Sequence, residues 1–314
     1  MSLSGSMSFF MSRRVRSALA GVLAAVLAGA GPHAVAAEAP ERIISVGGAV
    51  TETLFALGLG DRIVAVDSTS LYPAEATALP QVGYLRQLSS EGVLAQRPDM
   101  VLLGEGAGPA SAVEQITNSG LAVENIAIGW SPESVTTMIR KVGDATGAGD
   151  RAGALADSVA ADFAALADAV PQEDGPTVLL VISAGAGPLL GAGTHTAAEV
   201  AISLAGGRLA LPTLEGYKPL SLEPVLAADP DYIIVPSHVV EILGGMDGLR
   251  ELDVIAETNA GREGRIIIAD SLYLLGFGPR APLAAADLAR IFHPDADIPL
   301  ESAGGDHPLI QLAK

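Results

Sequence analysis

The chain contains no cysteine, and this absence removes several classes of chemistry at once. Without cysteine none of its 314 residues can form a disulfide framework, a thiolate metal site, an iron–sulfur cluster or a cysteine nucleophile. Basic residues are also scarce, since 18 Lys and Arg stand against 36 Asp and Glu and give a net charge of −18. Binding to phosphate backbones needs a basic surface, so this balance argues against a nucleic-acid-binding function. The hydrophobic content of 49% is sufficient for one large or two ordinary domains with a real core.

Long apolar runs are lacking as well, except near the N-terminus. An uncharged apolar run of 13 residues, Ala18–Ala30, follows three arginines and precedes an Ala-x-Ala sequence at Ala34–Ala36. The run is too short for a membrane span of about 20 residues, and this order of features is typical of a secretory signal peptide. We therefore predict that residues 1–36 are removed, which leaves a periplasmic protein that is not inserted in the membrane. The pair Arg13-Arg14 leaves twin-arginine export open beside the general route, and a lipoprotein anchor would need a cysteine.

Short apolar segments alternate with helical patterns along the rest of the chain. Nearly continuous apolar strands favour parallel sheets covered on both faces. A long helical pattern over 132–169 begins at Ser131-Pro132 and contains Gly147 and Gly149, at which we expect a kink. The prediction is an α/β fold with two Rossmann-like lobes joined by one long backbone helix, with the ligand cleft between the lobes. Its segments are an N-terminal lobe over 37–131, the helix over 132–170 and a C-terminal lobe over 171–314.

The two lobes share a sequence repeat. Residues 83–99 and 216–231 both follow the pattern G-Y-x-R/K-x-L-S-x-E-x-V-L-A-x-x-P-D, with one residue of slip. A repeat of this length indicates two lobes related by a pseudo-two-fold axis, and the interface between such lobes is a favoured place for a ligand. Each copy contains a predicted helix N-cap followed by a glutamate in the first turn: Ser89 with Glu91, and Ser221 with Glu223.

These features together resemble the helical-backbone class of periplasmic binding proteins, which serve ABC importers of siderophores, cobalamin and haem. Within that class, five stretches are similar to the haem (hemin) binding proteins: 82–94, 104–109, 205–208, 216–221 and 276–282. The resemblance covers essentially all of the chain after the signal peptide. It implies a protein without catalytic activity that captures ferric haem and delivers it to the permease dimer of an ABC importer. We expect it to act as a monomer.

The resemblance assigns the iron ligand to the first copy of the repeat. In that family a tyrosine phenolate coordinates ferric haem and a nearby arginine assists, and Tyr84 and Arg86 match those positions. Fe³⁺ favours an anionic oxygen, and a neighbouring guanidinium lowers the pKa of a phenol from about 10. In the second copy, Tyr217 would stack on the porphyrin or contact a propionate, and Lys218 would pair with a propionate. Each residue also has an ordinary structural interpretation. The tyrosines would be packed aromatic side chains, Arg86 would form a surface ion pair, and Lys218 would be solvated.

Two further residues are candidates for contact with the ligand. His195 lies in a glycine-rich turn after the strand predicted over 177–182, and we place it at the carboxyl edge of the sheet, where ligands bind. Some members of the family hold a second, stacked haem through a histidine on this lobe, so His195 is either a second iron ligand or a hydrogen-bonded residue at a helix start. Gly106 lies in a loop of small residues that would let a flat macrocycle approach the backbone, and the loop over 183–188 looks equivalent. Ordinary turn chemistry accounts for both loops equally well.

The glutamates carry a separate hypothesis about the partner. In the resembled class, one exposed carboxylate on each lobe docks onto arginines of the permease dimer, and Glu91 and Glu223 match that placement. The simpler interpretation is that both glutamates only place a favourable negative charge in the first turn of a helix.

Two other functions stay open. A receptor for ferric siderophores or cobalamin would need clusters of arginine, which the lobes do not show. A secreted enzyme is disfavoured, because the patterns G-x-S-x-G, H-E-x-x-H and S-x-x-K do not occur.

Overall fold

The fold is described from a computed structural model covering residues 39–171, 174–182, 188–303 and 309–313, together with Met1 and Ser2. Nearly all of the predicted signal peptide and most of the loop predicted over 183–188 lie outside the described residues. No helix within the described ranges is both long enough and apolar enough to cross a bilayer. The elements below all belong to one structural unit, Pro40–Lys314.

Four parallel strands form the sheet of the first lobe in the order β2-β1-β5-β6. The strands are β1 Ile43–Val46, β2 Ile63–Val66, β5 Met100–Gly104 and β6 Ala122–Ile126, and a separate hairpin consists of β3 Gly83–Tyr84 and β4 Gln87–Leu88. The helices are α1 Gly48–Ala56, α2 Ser90–Ala95 and α3 Ala110–Thr117, with short 3₁₀ turns at Gly60–Arg62 and Ala74–Ala78. Alternate residues of β1 enter different apolar clusters, Ile43 on one side and Ile44 on the other. Both faces of the sheet are therefore covered, as predicted for a parallel sheet.

The second lobe is built on a larger mixed sheet in the order β10-β8-β7-β11-β12-β13, with β9 also paired to β7. Its strands are β7 Thr177–Ile182, β8 Leu190–Ala192, β9 Arg208–Leu209, β10 Tyr217–Pro219, β11 Tyr232–Pro236, β12 Ile266–Ala269 and β13 Ile310–Leu312. Its helices are α6 Ala197–Leu204, α7 Leu222–Ala228, α8 Ser237–Ile242, α9 Met246–Arg250, α10 Asp253–Ala256, α11 Asn259–Arg262, α12 Ser271–Leu275 and α13 Ala281–Phe292. The central strands β7, β11 and β12 are parallel, as predicted, whereas β8 and β13 are antiparallel additions.

The sequence repeat corresponds to a repeat of structure. In both lobes the Pro-Asp at the end of the repeat begins a strand that pairs with the first strand of the lobe. The Asp99 carboxylate accepts hydrogen bonds of 3.1 and 3.0 Å from the backbone N–H groups of Glu41 and Arg42. The Asp231 carboxylate accepts bonds of 2.7 and 2.8 Å from the backbone N–H and hydroxyl of Thr177. Each aspartate thus holds the beginnings of two adjacent strands together.

The single kinked helix predicted over 132–169 is wrong, because two helices occupy this segment. They are α4 Pro132–Thr146 and α5 Gly149–Ala169. Gly147 ends α4 in the left-handed conformation, with φ 72°, and the chain reverses direction there. The ion pair of 2.6 Å between Arg140 and Asp157 shows that the helices lie antiparallel. Both helices have the same 3.6-residue period, so the apolar pattern alone could not reveal the reversal.

The two helices pack against different lobes. Helix α4 packs against α1 of the first lobe, whereas α5 packs against α13 of the second lobe. With 21 residues, α5 is about 31 Å long, and it alone is the long helix that leads from one lobe to the other. Its buried residue Phe163 belongs to the same apolar cluster as Ile43 of β1 and Val178 of β7. The connection is thus part of a continuous core.

Gly143 allows α4 and α5 to approach each other closely. A Cβ atom at this position would overlap the Cβ of Ala152 on α5. Glycine inside a helix costs about 1 kcal/mol relative to alanine, so its use here reflects the close packing.

We predict that Gly143→Ala lowers the free energy of unfolding by about 2 kcal/mol, because overpacking outweighs the gain in helix propensity. The matched control is Gly149→Ala, whose added Cβ would lie 3.4 Å from a side-chain oxygen of Asp144. That variant should be as stable as the wild type or slightly more stable. Denaturant unfolding of residues 37–314 measures both, and equal stability of the two variants would contradict the close-packing account.

Candidate ligand-binding site

The β3–β4 hairpin presents Tyr84 and Arg86 to solvent. The Tyr84 side chain is 45% exposed, and Arg86, in the turn of the hairpin, is exposed as well. Gly83 has φ 112°, and a Cβ atom there would lie 2.7 Å from the carbonyl oxygen of Gln87. The glycine before the tyrosine is therefore a requirement of this tight hairpin.

Backbone hydrogen bonds fix the hairpin from both sides. The N–H of Ser68, just after β2, donates to the carbonyl of Gly83 at 2.9 Å. The N–H of Gly108, just after β5, donates to the carbonyl of Leu85 at 2.9 Å, and the N–H of Leu88 donates back to Gly108 at 2.7 Å. Both bracing loops leave the carboxyl edge of the sheet, which is where open α/β sheets bind ligands.

Gly106 lies in the same bracing loop and so close to the Tyr84 hairpin in the fold. Its φ of 84° requires a residue that tolerates the left-handed region, and a Cβ atom there would meet nothing within 4 Å. The space above this backbone is open. The structure therefore brings Tyr84, Arg86 and Gly106 together as one group on the first lobe.

The candidates on the second lobe form another group. The N–H of Gly193 donates to the carbonyl of Gly216 at 2.9 Å, and the N–H of Gly216 donates to the carbonyl of Thr194 at 2.8 Å. These bonds join the turn that carries His195 to the segment that carries Tyr217 and Lys218. Lys218 is exposed on the edge strand β10.

The two tyrosines of the repeat occupy different environments. Tyr217 is half-buried, and burial raises the pKa of its phenol, opposed by hydrogen bonds from the Ala198 backbone and the Thr196 side chain. Its hydroxyl thus interacts with the beginning of α6 and stays protonated at neutral pH. Tyr84 lies on strand β3 of the hairpin and is exposed, so of these two phenols that of Tyr84 is the one accessible to a ligand.

The placement of His195 at the carboxyl edge of the sheet is wrong. Strand β8 is antiparallel to β7, with Leu190 opposite Ile182, the last residue of β7. The chain therefore runs back from the carboxyl edge before it reaches His195. There the backbone N–H of His195 donates to Glu199 at 2.7 Å, and its Nδ1 lies 4.0 Å from a carboxylate oxygen of Glu215. The antiparallel direction of a three-residue strand could not be read from the sequence.

The predicted helix caps are confirmed in one lobe only. The hydroxyl of Ser89 accepts a hydrogen bond of 2.9 Å from the N–H of Gly92, whereas Ser221 occupies the N-cap position without a side-chain bond. Glu91 and Glu223 are both exposed in the first turns of α2 and α7.

A buried ion pair between the lobes was not predicted. Glu52 of α1 accepts a bond of 2.8 Å from the guanidinium of Arg280 and one of 3.0 Å from its backbone N–H, and the Glu52 side chain is only 5% exposed. The guanidinium also lies 3.3 Å from the centre of the Tyr72 ring, a cation–π contact. A cavity of about 580 Å³ borders this cluster and does not include Tyr84. The sequence shows Glu52 as the single charged residue of the apolar helix α1, which indicates a buried partner. That partner, Arg280, lies 228 residues away in the chain.

We predict that Arg280→Ala destabilises the protein by about 3–5 kcal/mol, because it leaves the Glu52 carboxylate buried and unpaired. Arg140→Ala, which removes the exposed ion pair with Asp157, should cost less than about 1 kcal/mol. Denaturant unfolding compares the two variants. A loss of stability in Arg280→Ala no larger than that in Arg140→Ala would show that the pair between the lobes contributes little.

Two α/β lobes joined by a long helix are the architecture of the solute-binding proteins, and the exposed hairpin of the first lobe is braced by loops at a carboxyl sheet edge. The chain belongs to the periplasmic binding protein family, whose model matches residues 43–273.

The solved structures similar to this chain include periplasmic heme-binding proteins. RhuT from Roseiflexus sp. RS-1 in apo form is 40% identical, with a TM-score of 0.78, and the match covers 81% of this chain and 98% of that chain. A periplasmic heme-binding protein from Pseudomonas aeruginosa is 34% identical, with a TM-score of 0.73, over 88% of this chain and 98% of that chain.

The relatives found by sequence similarity are less specific about the ligand. The uncharacterized ABC transporter substrate-binding lipoprotein YvrC of Bacillus subtilis is 26% identical over 261 residues, 82% of this chain and 81% of that protein. The vitamin B12-binding protein of Yersinia pestis is 37% identical over only 87 residues, 28% of this chain and 31% of that protein.

Proposed function

We propose that this protein is a periplasmic, monomeric receptor that captures ferric haem and delivers it to an ABC importer without performing catalysis. The observation that carries the proposal is the exposed Tyr84, two residues before Arg86, on a hairpin braced at the carboxyl edge of the first sheet. The heme-binding proteins from Roseiflexus and Pseudomonas match this chain along nearly their whole length, which supports the same ligand.

The chemistry of binding follows from the hairpin. The phenolate oxygen of Tyr84 ligates Fe³⁺, and the exposed Arg86 in the turn of the same hairpin offers a positive charge to the ligand. Because backbone hydrogen bonds already hold the hairpin, little conformational entropy is lost when the ligand binds. Gly106 leaves room for the porphyrin face, and Lys218 offers a positive charge to a propionate. His195 is left out of the iron site, because it lies away from the carboxyl edge and between two glutamates.

A cobalamin or ferric siderophore receptor is the second candidate. The relative named for vitamin B12 favours it, but that similarity covers less than a third of either chain. The heme-binding structures match about four-fifths of this chain or more. Haem is therefore the ligand to test first.

We predict that Tyr84→Phe weakens binding of ferric haem at least about a hundredfold, because the variant keeps the ring but removes the oxygen ligand. The matched control is Tyr217→Phe, which removes the half-buried hydroxyl of the second repeat and should retain both the affinity and the tyrosinate-type ferric spectrum. A hemin titration of residues 37–314, followed by absorbance, measures both variants.

Three results of this titration would redirect the proposal. If Tyr217→Phe loses saturable binding and Tyr84→Phe keeps it, the iron ligand is Tyr217 of the second lobe and the assignment to Tyr84 is wrong. A break at two equivalents of hemin would indicate that a second haem binds. The variant His195→Ala would then test whether His195 is its iron ligand. No saturable binding by the wild type would contradict the haem proposal and favour siderophores or cobalamin.

The proposed contact with the importer uses Glu91 and Glu223. We predict that Glu91→Ala with Glu223→Ala leaves hemin binding unchanged but strongly reduces haem uptake through the importer, because the docking charges are lost. A double variant of two other exposed glutamates, Glu133→Ala with Glu251→Ala, is the control for the change in net charge. Uptake into proteoliposomes containing the importer of the source bacterium measures the effect, and normal uptake by the first double variant would exclude the docking role.

A further inference from the structure

Two leucines at equivalent positions of the repeat are exposed to solvent. Leu94 of α2 is 39% exposed and Leu226 of α7 is 41% exposed. Each follows a fully buried valine, Val93 or Val225, which attaches its helix to the lobe. A single exposed leucine carries no information, but the same exposure at both copies of a diverged repeat does.

Each leucine shares a helix face with a proposed docking glutamate. Leu94 lies three residues after Glu91, and Leu226 three residues after Glu223, so each pair is adjacent on the helix surface. The buried valine lies on the opposite side. We call these two surfaces, Glu91 with Leu94 and Glu223 with Leu226, the docking patches.

We infer that Leu94 and Leu226 are apolar anchors by which this protein binds the permease dimer of its importer. The inference rests on the proposed function, since it assigns a second chemical component to the same docking contact. Each permease subunit would present a basic side chain next to an apolar depression on its periplasmic face. Two equivalent patches on one chain match two equivalent subunits, which is the geometry that a symmetric dimer offers.

Charge argues against a second copy of this chain as the occupant. In a self-associated pair of docking patches the glutamates would face glutamates, on strongly acidic molecules: the full chain has a net charge of −18, and the predicted signal peptide holds three of its arginines and no acidic residue. Like charges brought together across an interface are unfavourable. A partner with basic residues is complementary to these patches.

The two components of a docking patch should affect binding kinetics differently. Charges at an interface mainly raise the association rate, and salt screens that effect. Burial of apolar side chains mainly slows dissociation and is far less sensitive to moderate salt. The glutamates and the leucines can therefore be separated in one experiment.

The experiment measures association and dissociation of the haem-loaded protein on the source bacterium's haem importer, immobilised in nanodiscs, at low and high salt. Leu94→Ser with Leu226→Ser should raise the dissociation rate about tenfold at both salt concentrations, with little change in the association rate. Glu91→Ala with Glu223→Ala should instead lower the association rate, mostly at low salt. Leu312→Ser is the matched control, because Leu312 is 44% exposed on strand β13, which packs against β12 and α13. It should behave as the wild type.

The possible failures are distinguishable. A wild-type dissociation rate in the double leucine variant, with docking otherwise normal, overturns the anchor proposal and leaves the proposed function intact. An equal increase in Leu312→Ser overturns it too, since the effect would then not be specific to the patches. A wild-type protein that binds hemin but does not dock overturns the docking role of the glutamates and the leucines together.

Discussion

The ion pair between Glu52 and Arg280 fixes how the two lobes meet. It joins the first helix of one lobe to the beginning of the last long helix of the other, and the Tyr72 ring covers the guanidinium. The proposed ligand cleft and the separation of the proposed docking patches both depend on this relative placement. A buried ion pair is weak support for overall stability, since its desolvation offsets much of the attraction. We expect its more important effect to be specificity, because other orientations of the lobes would leave a carboxylate buried without a partner.

The internal repeat retains the structural role of its aspartates, whereas its two tyrosines have different environments. Asp99 and Asp231 perform the same task in both lobes, tying a central strand to the first strand of the sheet. The two tyrosines have different roles. In the second lobe Tyr217 belongs to strand β10, which pairs with β8. The first lobe has no equivalent partner strand among the described residues, so the segment around Tyr84 folds back on itself as a hairpin. The same sequence pattern therefore yields an exposed phenol in one lobe and a packed phenol in the other.

The sequence predicted the two α/β lobes of this fold better than it predicted the direction in which each helix and strand runs. Apolar strands and the repeat were sufficient to identify two α/β lobes, their central strands and the candidate tyrosines. They were insufficient for the reversal at Gly147 and for the antiparallel course of β8, because period and hydrophobicity are the same whichever way a segment runs. Glu52 and Arg280 were not recognised as a pair, because a contact between residues 228 apart depends on the assembled core. For the candidate site, the residue types were predictable, whereas the unequal burial of Tyr84 and Tyr217 was not.

The continuous core holds the proposed docking patches at a fixed separation. Helix α5 shares one apolar cluster with both sheets, and the Glu52–Arg280 pair adds a second connection between the lobes. When two sites on a rigid body bind two sites on a partner, the second contact forms at a high effective concentration once the first exists. Each patch can then be small, one charge beside one leucine, and still contribute to a specific complex. If the patches dock as proposed, a partner whose two subunits are spaced differently cannot engage both of them, so the spacing set by the core would itself select the partner.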